Sequence, residues 1–225
     1  RQYEVPGIEH YPNASHLIKL RDHQKAAVSR GLQESTVFAH AVGTGKTYMY
    51  TTLAMELRRT QQARKPLIVV QGSTISQFAG QAKTLYPTAR ILAPSKRDRE
   101  KQNRQTLLAK IATGDWDMVI LPHSFFDGIA VNPERETAFI NEQLAELEDA
   151  IREQGGDPSS TKASRKDDLT VKQLKALLAN KRERLDELTH AREDVAMYFE
   201  DMGVDFMFVD EAHNGEEGHE IMKKE

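Results

Sequence analysis

Apolar residues along this chain follow two rhythms. Apolar runs occur at 67–70 (Leu67, Ile68, Val69, Val70), at 117–121, which Asp117 opens, and at 204–209, around Asp205, with a shorter one at 89–93, around Arg90. Runs of this kind, bounded by turn signals, suit strands buried on both faces, as in a parallel sheet. A run of β-formers and small apolar residues at 36–41 adds one more strand. Between the runs, apolar residues recur at three-four spacing. The spacing predicts helices at 25–32, ending near Gly31, and at 48–60, with Met49, Leu53 and Leu57 on one face. Another runs through Phe78, Ala82 and Leu85 until Pro87, with Ser73 or Thr74 as its N-cap. A strongly basic helix is expected at 98–112, closed by Gly114 and Asp115. Strands alternating with helices predict an α/β fold with a mostly parallel, doubly wound sheet.

Residues 128–203 break that rhythm. Ile140, Leu144, Leu147 and Ile151 lie at helical spacing within 134–154, followed by a Gly-Gly-Asp-Pro turn. Val171, Leu174, Leu178, Leu185, Leu188, Val195 and Phe199 form a second seam over 170–200, interrupted by Lys181 and Arg192. Two amphipathic helices with a polar link predict an antiparallel hairpin inserted into the sheet domain. The hairpin reads either as a solvated spacer or a long insertion packed on the sheet edge, or as an arm that touches DNA or a partner. The basic run from Lys162 to Lys166 keeps the second reading open. The expected division is an irregular approach at 1–19, the first part of the α/β domain at 20–127, the hairpin at 128–203, and the last strand and tail at 204–225.

Composition narrows the function classes. With 225 residues, 39% hydrophobic and 29% charged, the chain suits a water-exposed protein with one sizeable core and an extension. A net charge of −3 leaves no global basic signature, so any nucleic-acid surface has to be a local patch. The absence of Cys excludes a disulfide framework, a thiolate zinc site and a Cys nucleophile, and fits a cytoplasmic location. No apolar run approaches transmembrane length, so no membrane role is expected. The chain begins at Arg1 without Met and reads as an excerpt of something longer.

Two stretches carry chemistry. The run 36–41 turns through Gly43, Thr44 and Gly45 into Lys46 and Thr47, at the start of the 48–60 helix. Glycines let a backbone approach and expose its N–H groups, and a helix start adds partial positive charge, which together cradle phosphates. In such a P-loop Lys46 reaches the β- and γ-phosphates and the Thr47 hydroxyl holds Mg²⁺. The first position of the GxxxxGK[ST] pattern is His40 rather than Gly. The second stretch, Asp210-Glu211-Ala212-His213, follows the apolar run 204–209. Ligands bind at the carboxyl ends of strands in open α/β sheets. Asp210 is therefore expected to hold Mg²⁺, and Glu211 to orient and deprotonate an attacking water.

Gly43-Thr44-Gly45-Lys46-Thr47 with Asp210-Glu211-Ala212-His213 resembles motifs I and II of superfamily 2 helicases and translocases. The segment Leu20-Arg21-Asp22-His23-Gln24 resembles the adenine-recognition motif of that superfamily, which implies that Gln24 hydrogen-bonds the adenine and Arg21 lies near the nucleotide. The segment after Val70, with Ser73 and Thr74, is similar to motif Ia. Pro122-His123-Ser124 is similar to Ib-type segments of Swi/Snf-like members. The resemblance implies a nucleic-acid track that includes Ser73, Thr74, His123 and Ser124, and a coupling role for His213. Small hydroxyls at helix starts serve equally as simple caps. The tract 111–117, then His123-Ser124, then the long charged helices, is similar to the helicase-like part of phage and mobile-element proteins that pair a Swi/Snf-like motor with an adenine-specific DNA methyltransferase.

The resemblance implies a RecA-like P-loop domain, the ATP-binding first half of an ATP-dependent DNA helicase or translocase. It implies an ATP hydrolase using ATP and Mg²⁺ on double-stranded DNA, with Lys46 and Glu211 as catalytic residues. No motif III and no second RecA-like domain follow His213, so the second domain is expected from the same longer chain. The alternatives are the motor of a restriction enzyme and a nucleotide-gated DNA-binding module without autonomous turnover.

Overall fold

The computed structural model describes residues 10–34, 45–159, 169–190 and 197–210. The expected strand at 36–41 and residues His40, Gly43, Thr44, Glu211 and His213 lie outside the described residues. The chain divides into two compact units, one of Arg1–Ile129 with Phe199–Glu225 and one of Ala130–Tyr198.

The first unit is α/β. It contains α1 (Asp22–Gly31), α2 (Lys46–Arg59), β1 (Pro66–Val70), α3 (Ile75–Leu85), β2 (Ile91–Leu92), α4 (Arg104–Thr113), β3 (Met118–Pro122), the short α5 (His123–Phe126) and β4 (Phe206–Val209). The described strands form one sheet in the order β2-β3-β1-β4, and all pairings are parallel. Ile68 lies opposite Ile120 on one side and Phe208 on the other. Side chains alternate between faces along a strand. Ile68, Val70, Met118, Ile120 and Phe208 accordingly share one core with Met49, Leu53 and Leu57 of α2 and with Phe78, Ala82 and Leu85 of α3. Leu67, Val69, Val119 and Leu121, the alternate residues, are buried as well. Both faces are therefore covered, which is why these strands read as unbroken apolar runs.

The amino-terminal ends of the strands are tied by carboxylates. Asp205, just before β4, accepts from the main-chain N–H groups of Arg64 (2.6 Å) and Lys65 (2.9 Å), just before β1. Asp117, just before β3, accepts from the main-chain N–H of Arg90 at 2.7 Å, just before β2. Arg58 of α2 pairs with Asp117 at 2.9 Å. Burial alone would raise the Asp117 pKa. Hydrogen bonds from the Arg90 side chain and main chain, with the charges of Arg58 and Arg90, outweigh it and hold the carboxyl below its ordinary value. Lys65 donates through Nζ to the carbonyls of Ile111 (2.7 Å), Ala112 (2.9 Å) and Met202 (3.2 Å). It thereby satisfies carbonyls that the end of α4 leaves without an intrahelical partner.

Several elements differ from the sequence reading. The basic helix does not begin at 98: Asp98 accepts from the Ser95 N–H at 2.9 Å and hydroxyl at 2.6 Å, a local turn that competes with helix, and α4 starts at Arg104 after a single 3-10 turn. The strand expected at 89–93 is paired only at Ile91 and Leu92. Thr74 takes the N-cap position of α3, but its hydroxyl donates to the Gln71 carbonyl at 2.9 Å and makes no cap. Phe199, read as the end of the second helical seam, belongs to the first unit. There it begins a 3-10 turn and meets Phe126 edge-on, with centroids 6.0 Å apart.

The second unit contains α6 (Pro133–Glu153) and α7 (Leu169–His190). Asn132 caps α6 by accepting from the Glu134 N–H at 2.9 Å, with Pro133 in the first turn, where its missing N–H costs nothing. Ile151, Val171 and Leu178 form the seam, with Leu144, Leu147 and Leu174 packed against it. The start of α7 (Val171) meets the end of α6 (Ile151), while Arg184 further along reaches Glu136 at 2.9 Å, so the two helices are antiparallel. Gly156 permits the turn after α6, because a Cβ there would stand 2.8 Å from side-chain atoms of both Ile151 and Val171.

Candidate functional site

The site lies at the carboxyl ends of the strands. Gly45, the N-cap of α2, has φ 80° and ψ 36°, the left-handed region that glycine enters without penalty. Its surroundings exclude a side chain a second time, since a Cβ would lie 2.3 Å from Gln24 Nε2. Gln24 is buried, at 5% exposure, and both ends of its amide are engaged. Its Oε1 accepts from the Arg21 N–H at 2.8 Å, and its Nε2 donates to the Gly45 carbonyl at 2.9 Å. The segment around Arg21 is thus bolted to the phosphate-loop end of α2. Gln24 is neither an exposed helix residue nor free to turn its amide elsewhere without releasing Gly45.

Lys46 and Thr47 open α2, where the first main-chain N–H groups have no intrahelical acceptor. From the far end of the chain comes Asp210. It follows β4, and its N–H donates to the Val69 carbonyl at 2.9 Å, extending the sheet pairing by one residue. Lys46 Nζ lies 3.5 Å from Asp210 Oδ1, with the two side chains 20% and 22% exposed. That contact is an ion pair without hydrogen-bond geometry: Oδ1 is itself buried and makes no hydrogen bond. A buried carboxylate oxygen left in this state is costly for folding alone.

Two further residues neighbour Asp210: Tyr50, which no motif singles out, and His123, which the motif resemblance puts on a nucleic-acid track. Tyr50, one helical turn past Lys46, is buried and lies against Phe208 with ring centroids 5.7 Å apart. Burial, and then the charge of Asp210, push its hydroxyl up to about 12. His123, the first residue of α5, places Nε2 2.8 Å from the Asp210 main-chain carbonyl. A carbonyl only accepts, so Nε2 carries the proton of this bond. No spacing in the sequence signals the bond between His123 and Asp210; a 3.6-residue periodicity does hint that Tyr50 shares a face with Lys46.

The remaining expected residues are more dispersed in role. Ser73 and Ser124 are exposed. Gly72 stands near Pro122, whose Cβ would be 3.8 Å from a Cβ at Gly72, so the ends of β1 and β3 approach closely beside Thr74. Among the basic residues of 96–110, Arg104 is committed to the fold: its Nη2 donates to the Phe125 carbonyl at 3.0 Å, its guanidinium lies 4.6 Å from the Phe125 ring centroid, and burial lowers its pKa. Lys96 and Arg97 remain exposed.

Residues 31–218 match the model of a family described as "Probable helicase domain". The chain belongs to this helicase-domain family. The match runs from the end of α1 past Asp210 and so takes in both halves of the site. A search of curated proteins returned no match to the chain. For a helicase domain, a lysine at a helix start facing a strand-end aspartate is a pairing suited to a triphosphate and a divalent cation. Among the described residues no cluster of three or more potential metal ligands occurs, and no helix is long and apolar enough to cross a membrane.

Proposed function

We propose that this helicase domain is the ATP-binding first half of a superfamily 2, Swi/Snf-like motor that couples ATP hydrolysis to movement on double-stranded DNA. The observation that carries the reading is Lys46 Nζ 3.5 Å from Asp210 Oδ1, two residues from opposite ends of the chain brought to one sheet edge. In this reading Gly43, Thr44 and Gly45 present main-chain N–H groups to the phosphates, and Lys46 moves from Asp210 to the phosphate oxygens. Gln24 of α1 and Arg21 just before it border the nucleotide. Ser73, Thr74 and Ser124 contribute to the nucleic-acid side, with His213 as the coupling residue. The fold around the site is of RecA-like type, with α6 and α7 inserted between β3 and β4. A second RecA-like domain forms the other wall of the cleft.

The residues present fit Mg²⁺. The buried, hydrogen-bond-free Asp210 Oδ1 is a hard oxygen donor beside the helix start that carries Thr47. When bound, the ion neutralises charge on the triphosphate. Asp210 would hold it, Thr47 would supply a hydroxyl, and Glu211 would orient and deprotonate the attacking water. Phosphoryl transfer asks for little more than such positioning and charge stabilisation.

The test is equilibrium binding of ATP with Mg²⁺, followed by steady-state turnover of the full-length protein with and without duplex DNA. Saturable binding and DNA-stimulated release of phosphate are expected. Replacing Glu211 with Gln should abolish turnover and leave binding intact. Absence of binding at millimolar ATP overturns the reading. Binding without turnover in the unaltered protein identifies a nucleotide-gated binding module instead.

A further inference from the structure

Gln24 has no freedom to choose which way its amide faces. It is the third residue of α1, and its Oε1 closes the capping box at the start of that helix by accepting from the Arg21 N–H at 2.8 Å. A reversed amide would set an NH₂ group against that N–H and an oxygen against the Gly45 carbonyl. The donor end is therefore committed to Gly45, at 2.9 Å. At 5% exposure the residue offers a ligand almost no surface. A reader of the base needs its donor and acceptor turned outward; here both are turned onto the protein's own main chain.

The carbonyl it grips belongs to the peptide unit that opens α2. That carbonyl also accepts from the Tyr48 N–H at 3.1 Å and the Met49 N–H at 3.4 Å, both in the first turn of the same helix. Those bonds tie the unit only to its own helix. The Gln24 bond is shorter and comes from α1, so it fixes the unit against a second element of the domain. A trans peptide is planar, with its N–H and C=O pointing in opposite directions. Holding the Gly45 carbonyl therefore aims the Lys46 N–H out of the helix start, where it has no intrahelical acceptor and an anion can take it. The Lys46 side chain leaves the same residue toward Asp210, with Nζ 3.5 Å from Oδ1. We infer that Gln24 is a positioning residue for the phosphates of the nucleotide and not the reader of its base: through the Gly45–Lys46 peptide it aims the Lys46 N–H. This rests on the function proposed above. Its consequence is that losing the Gln24 amide weakens binding without regard to the base.

The probes are ATP, GTP and inorganic tripolyphosphate, each with Mg²⁺, titrated at equilibrium into the unaltered full-length protein and its Gln24→Met variant. Methionine keeps the length of the side chain, adds no charge and removes both bonds. Melting temperature is measured without ligand. A mis-aimed donor to a charged group costs on the order of 10-fold in affinity. Gln24→Met is therefore expected to weaken all three probes by about 10-fold per folded molecule, with the ATP-to-GTP ratio within about twofold of the unaltered protein. Where methionine prevents folding, Gln24→Ala takes its place with the same expectation, since the smaller side chain leaves room for water on the Arg21 N–H and the Gly45 carbonyl. A loss for ATP that spares tripolyphosphate overturns the inference, because Gln24 then reads the base, and leaves the function standing. Unchanged affinities, with or without a lower melting temperature, also overturn it, by making Gln24 a brace of the fold alone. An unaltered protein that binds none of the three probes overturns the function itself and this inference with it.

Discussion

The two ends of the parallel sheet are built on opposite principles. At the amino ends, every carboxylate has a partner: Asp205 holds two N–H groups, and Asp117 takes two arginines and an N–H. At the carboxyl ends, Lys46 and Asp210 face each other at 3.5 Å without a hydrogen bond, and Asp210 Oδ1 is buried and unsatisfied. Satisfied buried polar groups rigidify a fold, whereas unsatisfied ones cost stability unless a ligand completes them. The same sheet thus fastens itself at one end and keeps unspent bonding capacity at the other.

Gly45→Ala sets the sharpest demand on this contrast. It forces an alanine into left-handed backbone and a Cβ against the Gln24 amide, where only 2.3 Å is open. A loss of roughly 2–4 kcal/mol in unfolding free energy is expected, together with loss of nucleotide binding. Denaturant titration and nucleotide titration check the two halves separately. A variant as stable as the parent would show that the loop is not packed on Gln24.

Lys46→Ala should separate the ends cleanly. ATP affinity is expected to fall by about 100-fold, or roughly 2.7 kcal/mol. Unfolding free energy should change by less than about 1 kcal/mol, since the pair it breaks has no hydrogen bond and is partly exposed. Comparable losses in both would mean that the carboxyl end is as structural as the other.

Asp117→Ala is the converse experiment. It leaves Arg58 and the Arg90 N–H without their carboxylate, so about 1–3 kcal/mol of stability should be lost while ATP affinity per folded molecule stays the same. The pH dependence has a definite sign. The folded Asp117 pKa lies below its ordinary value, so its contribution is present above about pH 4 and disappears as pH falls through the lowered value. The stability gap between parent and Asp117→Asn should therefore narrow in acid; a gap that widens there would contradict the assigned cause.

The smallest effect is expected at Arg30→Ala. Its pair with Glu34 at 2.9 Å is 45% and 54% exposed, so a change under about 0.5 kcal/mol is expected, with no change in binding. A larger value would show that surface pairs matter here as much as the strand-end clamps do.

Much of the fold was legible because burial writes a period into the chain. The runs at 67–70 and 118–121 are fully buried in their strands, and Met49, Leu53 and Leu57 do share the buried face of α2. The site was legible where glycine and helix-start chemistry are local, as at Gly45 and Lys46. Less legible were places where one polar residue rewrites a boundary. Asp98 folds back on Ser95, so α4 begins later than its charge pattern suggests. Phe199 continues the apolar spacing of α7 yet packs on Phe126 in the other unit. Spacing cannot distinguish a seam residue from an apolar residue that happens to fall in register with it.

By itself, the sequence determined the alternation of strands and helices, the glycine turn into Lys46, and the two stretches able to meet a phosphate and its metal ion. Those features depend on neighbours along the chain, whose geometry the backbone imposes. Tertiary structure alone decided that Gln24 would grip the Gly45 carbonyl, that Asp117 and Asp205 would clamp neighbouring strands, and that His123 would cross β1 to reach Asp210. Each joins residues distant in sequence through a polar side chain. Such a side chain carries no period, and its partner is chosen only when the order of the strands brings the two together.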